Sequence, residues 1–467
     1  MWQPELESGR QPLYERLVVA MARDIRTGEL PPGSRLPPQR DLAFRLGVSV
    51  GSVTRAYAEA ERRGLLSAHV GRGSFVRGRL SSAPDIPTPV RHDGAESALQ
   101  APIDLRRNTP PPVPLMDDLR TALATLMARD ALEPAVHYIP GAGLPQVRAA
   151  GARWLAAQYG LDVDPDALIQ CNGGQHGIAL VFSSLCAPGS TILCESSTFY
   201  GARAAAEHFG LTLHGLPMDE EGILPEAVAR AAVETGSRLL FTLPTLHNPT
   251  TRTMSDRRRQ AIADVARAQD LLILEDDAYY AYSGRPRQIA SYAPERTLYL
   301  ASLSKGVCAG FRLAFLTVPP TVPHERLLRG VRALGYCPPA LGALVFNEWV
   351  ADGRIDAIAQ SVQSEAAARW ALARATLGDL IAPCGADHSP HAWMPMGALD
   401  AERVTGRLLR AGVEITPPDA SVVSGDADTG LRVCLGATHS RSELSRALTI
   451  IADVVRGGLS DSRDGIL

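Results

Sequence analysis

Along residues 13 to 25 the apolar positions Leu13, Leu17, Met21 and Ile25 fall four apart among polar neighbours, and Gly28 follows. That spacing predicts an amphipathic helix. After the turn-rich Pro31-Pro32-Gly33-Ser34, residues 38–46 predict a second helix stopped at Gly47. Residues 50–63 predict a third, with Val53, Ala56, Tyr57 and Ala60 on one face and Gly64 closing it. Residues 65–68 and 74–76 flank Gly71-Arg72-Gly73 as two strands flank a hairpin tip. Two short helices about a Gly-containing turn, followed by such a hairpin, predict a winged helix-turn-helix over residues 1–78. Residues 79–102 show no periodicity and are punctuated by Pro84, Pro87 and Pro89, the pattern of a semi-rigid connector.

Beyond the connector, short apolar runs alternate with helical patterns, at residues 191–194, 239–243, 271–274, 298–300 and 313–316. Near-continuous hydrophobicity with helices between the runs predicts an α/β unit, its mostly parallel sheet covered on both faces, over residues 103–325. Ligands of such sheets bind at the carboxyl ends of the strands, where Glu195, Asn248, Asp276 and the Lys305 loop fall. Residues 326–467 turn helix-rich with few strands, which predicts a smaller α+β domain.

Charge separates the parts further. Residues 1–80 hold 13 Arg against 8 Asp or Glu, while the whole chain of 467 residues has a net charge of -3. A basic module on an acidic body predicts a polyanion partner for the first part only. The seven cysteines are scattered and never spaced as C-x-x-C, which argues against a metal site or a disulfide framework. No apolar run reaches membrane-spanning length and no signal peptide is visible, so the expected location is cytoplasmic.

Lys305 is the one lysine among 47 basic residues. Arg stays charged at any cellular pH, whereas a Lys amine can lose its proton and attack a carbonyl, so a lysine kept where all other cations are Arg points to Schiff-base chemistry. Around it stand Asn172-Gly173-Gly174-Gln175, Glu195 to Gly201, His247-Asn248-Pro249-Thr250, Glu275-Asp276-Asp277-Ala278-Tyr279, Ser302-Leu303-Ser304 and Arg312. Each alone reads equally well as a turn, a helix cap or a solvated strand end.

In this order and spacing these motifs resemble the fold-type I pyridoxal phosphate enzymes of the aminotransferase class. The resemblance implies pyridoxal 5'-phosphate as cofactor. Its phosphate would be held by the turn at Gly174-Gln175 with Ser302, Ser304 and Arg312, and its ring nitrogen by Asp276. Asn248 and Tyr279 would bond its phenolic oxygen, and Phe199 would stack on its ring where many relatives carry Tyr. Lys305 would hold it as an internal aldimine, Arg432 would grip an effector or substrate carboxylate, and Tyr138 would come from a partner subunit. Ala309 and Thr251 depart from the usual Pro and Gly of the pattern without removing a chemical group.

The first segment, through Gly33-Ser34-Arg35-Leu36-Pro37, Arg40, Leu46-Gly47-Val48-Ser49, Thr54-Arg55-Ala56-Tyr57 and Gly71 to Val76, resembles the GntR family. Its implied contacts with double-stranded DNA are Arg35, Arg40, Ser49, Ser52, Thr54, Arg55 and Arg72. Val50 and Gly51 stand where related domains often carry a polar or basic base reader. A reader, connector and aminotransferase-like body is the arrangement of the MocR subfamily of bacterial regulators. It implies a head-to-tail homodimer that binds DNA and senses an amine or amino acid, or the cofactor itself, by exchange at Lys305. The alternative is a working aminotransferase carrying a DNA-binding head.

Overall fold

The computed structural model describes residues 2, 4, 13–27, 29–31, 34–62, 65–69, 73–76, 102–282, 284 and 286–464. Gly28, Gly33, Gly64, the hairpin tip with Arg72, and the connector up to Ala101 lie outside the described residues. The chain divides into two compact units, residues 1–92 and 93–467.

In the first unit α1 (Leu13–Thr27), α2 (Gln39–Leu46) and α3 (Val50–Arg62) precede an antiparallel pair, β1 (Leu66–His69) and β2 (Gly73–Val76). The four-residue apolar spacing does what it predicts: Leu17 and Met21 of α1 are buried with Leu42 of α2 and Val53, Ala56, Tyr57 and Ala60 of α3. Gly47 ends α2 in the left-handed region at φ 65, where a Cβ would be strained. Ser49 caps α3, its Oγ accepting from the Ser52 amide at 3.2 Å. Tyr57 ties α3 to the turn before α2 by donating to the Pro37 carbonyl at 2.8 Å.

The second unit opens with β3 (Ile103–Asp104), α4 (Met116–Ala128) and α5 (Pro145–Tyr159). There follow β4 (Leu168–Asn172), α6 (Gly173–Leu185), β5 (Thr191–Glu195), α7 (Tyr200–His208), β6 (Thr212–Leu216) and a small hairpin of β7 (Met218–Asp219) and β8 (Gly222–Ile223). Next come α8 (Pro225–Thr235), β9 (Leu239–Thr242), α9 (Asp256–Ala268), β10 (Leu272–Asp276), α10 (Ile289–Tyr292), β11 (Thr297–Ser302), the one-turn α11 (Leu303–Gly306) and β12 (Leu313–Thr317). The C-terminal part holds α12 (His324–Gly335), α13 (Leu341–Ala351), α14 (Arg354–Leu377), β13 (His391–Pro395), α15 (Ala398–Arg410), β14 (Val413–Glu414), β15 (Gly430–Cys434) and α16 (Arg441–Asp464).

The main sheet has the order β4-β12-β11-β10-β9-β5-β6. It is parallel from β11 through β6, while β12 runs antiparallel to both β11 and β4. Both faces are covered, and β11 shows it: Tyr299 and Ala301 join the core with Trp154 and Phe346, and Leu298 and Leu300 the opposite core with Phe182 and Phe241. The reversal of β12 matters for the site. Because β12 starts where β11 ends, Arg312 at its head lies at the same sheet edge as the carboxyl ends of β4, β9, β10 and β11. A separate core gathers α15, α16, the far end of α14 and the pair β13–β15. Strand β3 joins it by pairing in parallel with β14, so the chain comes out of the connector into this C-terminal layer.

Candidate functional site

At the sheet edge, α6 begins with Gly173 and Gly174 behind Asn172, whose side chain makes no capping bond. The first-turn N–H groups therefore lack a partner from that cap and carry the positive end of the helix dipole. Gly173 sits at φ 76, and a Cβ there would lie 2.4 Å from Nη2 of Arg312. A Cβ on Gly174 would lie 3.7 Å from that of Ser302. Arg312 donates to Ser304 Oγ at 3.3 Å, and Ser302 Oγ accepts from the Ser304 amide at 3.2 Å, capping α11. The Gln175 side chain is spent on the Gly201 carbonyl, 2.8 Å away, which sets α7 and the half-buried Phe199 beside this turn. A helix N-terminus, two hydroxyls and a guanidinium in one cup suit a phosphate dianion.

Next to the cup, Lys305 on α11 donates from Nζ to the Asn108 carbonyl. Burial, with Arg432 and Arg312 acting the same way, pulls its amine down to about 8 against the opposing pull of Asp276. Asp276 ends β10 and is buried, and burial together with Asp277 pushes its carboxyl up to about 7. Its two acidic neighbours have other work. Glu275 accepts from the amides of Ile289 and Ala290 at 2.9 Å each and faces buried Arg259 at 3.6 Å, while Asp277 accepts from Tyr299 Oη at 3.0 Å. None of these partners engages Asp276, whose carboxylate could face a cationic ring nitrogen.

Asn248 follows β9 next to buried His247, whose ring bonds Thr250 Oγ1 at 2.8 Å and the Ser197 carbonyl at 3.0 Å. Its Oδ1 accepts from Arg432 Nη1 at 2.7 Å, so its amide nitrogen is the end free to turn to a phenolic oxygen. Arg432, on β15, also donates to Thr416 Oγ1 at 2.9 Å and to the Arg106 carbonyl at 3.1 Å, yet its buried Nε has no hydrogen-bond partner. It lines a small cavity with Tyr200, Pro249 and Trp393. Gly174, Gln175, Asn248, Asp276, Tyr279, Ser302, Ser304, Lys305, Arg312 and Arg432 therefore gather at one end of the main sheet within the second unit.

Tyr138 does not join them within the chain. It is 81% exposed and packs on the exposed ring of Tyr336 at 4.7 Å. Sequence reasoning missed Asn108 and His391, both buried beside Tyr279. Neither carries a local motif, and the two lie 283 residues apart in the chain.

In the first unit Arg35, Arg40, Ser49, Thr54 and Arg55 are exposed and Ser52 half-buried. Several of these polar groups are engaged with one another or with neighbours: Ser49 and Ser52 hydroxyls lie 2.9 Å apart, Thr54 donates to Gln39 at 2.8 Å, and Arg55 stands 4.0 Å over the Tyr14 ring. Val50, at the head of α3, is 44% exposed and fits apolar contact with thymine methyls.

Comparison with known proteins agrees with both units. Residues 105–451 match the aminotransferase class I and II family, and residues 13–76 match the gntR family of bacterial regulatory proteins. The chain is 28% identical to the uncharacterized HTH-type transcriptional regulator YdeF of Bacillus subtilis, over 96% of each chain. It is 28% identical to the pyridoxine biosynthesis transcriptional regulator PdxR of Corynebacterium glutamicum, over 78% of this chain and 79% of that one. An archaeal alanine:glyoxylate aminotransferase shares the fold, with a TM-score of 0.70 at 21% identity over 76% of this chain and 91% of that one.

Proposed function

We propose, from the premise that the chain belongs to the aminotransferase class I and II family and carries a GntR-family head, that it is a transcriptional regulator of the MocR type. The head binds double-stranded DNA, and the body binds pyridoxal phosphate and responds to an amine or amino acid, or to the cofactor itself. The observation that carries this reading is the sole lysine of the chain, lodged between Asp276, Arg312 and Arg432 in a body fused to a DNA-binding head.

The pocket residues fit the cofactor group by group. The α6 N-terminus with Ser302, Ser304 and Arg312 would hold the phosphate, Asp276 the ring nitrogen, and Asn248 and Tyr279 the phenolic oxygen. When bound, pyridoxal phosphate supplies an aldehyde that condenses with amines and a ring that accepts electron density. Lys305, half neutral near pH 8, is able to bond covalently and to yield its place to an incoming amine. Arg432 favours an incoming ligand with a carboxylate, since its unpartnered Nε is a buried donor in want of an acceptor.

An interface between two copies is supported by Met116, Val136, Tyr138, Tyr336 and Leu341, which leave large apolar groups exposed on the second unit, and the head-to-tail arrangement is the one the MocR resemblance implies. An effector shifts DNA binding only by its differential affinity for two states of that dimer.

The test is fluorescence anisotropy on the intergenic DNA beside the protein's own gene, with pyridoxal phosphate and panels of amino acids, run alongside an assay with a keto acid. A regulator changes DNA affinity and visible absorbance without sustained turnover, and Lys305→Arg keeps basal DNA affinity while losing the response. Many turnovers per site would instead make it an aminotransferase. Failure of borohydride to trap cofactor on Lys305 would sink the covalent reading altogether.

A further inference from the structure

Asn108 lies in the first stretch of the second unit, outside every motif around Lys305, yet it touches three parts of the pocket. Its main-chain carbonyl accepts from Lys305 Nζ. Its side-chain Nδ2 lies 2.9 Å from Tyr279 Oη and 3.0 Å from His391 Nδ1. Asn108, Tyr279 and His391 are all buried. We propose that Asn108, anchored by His391, is a positioning residue that fixes the direction of the Tyr279 hydroxyl, so that Tyr279 can only donate to a group held at Lys305. The inference rests on the reading of this pocket as a pyridoxal phosphate site.

The amide orientation follows from hydrogen-bond accounting. With its NH2 in the fork between Tyr279 and His391, both amide hydrogens find acceptors and Oδ1 alone is unpaired. Turned over, the amide would strand two buried N–H groups, the costlier arrangement. His391 can take the accepting role. Burial, with Arg432 next in effect, holds its ring far below the usual range and hence neutral. A neutral ring accepting at Nδ1 carries its hydrogen on Nε2, which is buried without a hydrogen-bond partner, so this arrangement leaves one buried N–H unpaired where the turned amide would leave two.

The consequence for Tyr279 is directional. A phenol has one hydrogen, and an oxygen that already receives the Asn108 hydrogen must aim its own elsewhere. Burial pushes the Tyr279 phenol well above its usual range, so that hydrogen stays on the ring oxygen. His391 faces Cys434 across the β13–β15 pair, and Trp393 faces Arg432. The strands that deliver the carboxylate-binding guanidinium thereby also deliver the anchor for Tyr279.

The experiment compares the full-length protein with N108L, Y279F and the double variant, each loaded with pyridoxal phosphate. The pH midpoint of the visible absorbance of the bound cofactor is measured, together with affinity for 4-deoxypyridoxine 5'-phosphate, which keeps the phenolic oxygen but has no aldehyde. A donor to the phenolic oxygen withdraws charge from the proton held beside it, so losing the donor raises the midpoint, here by about 1 unit. N108L should reproduce most of the Y279F shift, and the double variant should shift no further than Y279F. H391L, which removes only the anchor, should give a smaller shift of the same sign that also vanishes in the Y279F background. It keeps the test alive if N108L does not fold. No shift in folded N108L or H391L, or a shift that persists in the Y279F background, overturns the inference while leaving the pocket assignment intact. A wild-type protein with no visible absorbance overturns the pocket assignment itself, and this inference with it.

Discussion

The amine of Lys305 is set to react near neutrality. Its pKa of about 8 comes from burial and two guanidinium neighbours, and only the neutral form attacks an aldehyde. Attachment of pyridoxal phosphate should therefore speed up by about tenfold for each pH unit below 8 and level off above it, because raising the pH removes the proton that blocks the nitrogen. Stopped-flow absorbance between pH 6 and pH 9.5 reads this directly. A rate flat across that range would mean that Lys305 is already neutral or that another step limits. Asp276, pushed up to about 7 by burial, works in the opposite sense. It ionises as pH rises, and a cationic ring nitrogen would stabilise its charged form.

Among the elements, the junctions gather the candidate site residues. At the β4–α6 junction Gly173 takes φ 76 and lets Arg312 approach where a Cβ would stand 2.4 Å from Nη2. Gly173→Ala should displace that guanidinium and weaken pyridoxal phosphate about tenfold, one lost charge-assisted contact, measured by fluorescence titration. At the start of α3, Ser49→Ala removes the cap on the Ser52 amide and should lower the stability of the first unit by about 1 kcal/mol, read as a shift in its thermal unfolding without DNA. An unchanged melting curve would mean that the cap is dispensable there.

These junctions were legible in the sequence because glycines, prolines and hydroxyl residues mark them within a few positions, as at Gly173-Gly174, Ser302-Leu303-Ser304 and Gly47-Val48-Ser49. The strands were less so. Edge strand β6 (T-L-H-G-L) carries a glycine and a histidine, and β4 (L-I-Q-C-N) puts Gln170 into the sheet to bond the Pro339 carbonyl at 2.8 Å. Neither composition announces a strand, since an edge position tolerates polar side chains and a tertiary partner takes up the Gln170 amide nitrogen. Asn108 and His391 were hidden for a related reason: their meaning lies in a contact between distant segments, which no local pattern encodes.

In the molecule as a whole, the two units carry opposite charge, and the DNA-binding part is the basic one. Its affinity should fall steeply between 50 and 200 mM salt, as phosphate contacts release counterions. The chain that leaves this head enters the second unit through β3, paired with β14. Within five residues it meets the pocket twice: the Arg106 carbonyl accepts from Arg432, and the Asn108 carbonyl from Lys305. Hydrogen exchange over residues 103–109 should change when pyridoxal phosphate binds, because on the proposed reading the cofactor would claim the amine that Asn108 now holds. Unaltered exchange there would mean that the strand is indifferent to the pocket. The stretch just after β3 is thus bonded to the pocket at two carbonyls, and whatever draws Lys305 away releases the Asn108 carbonyl from its donor.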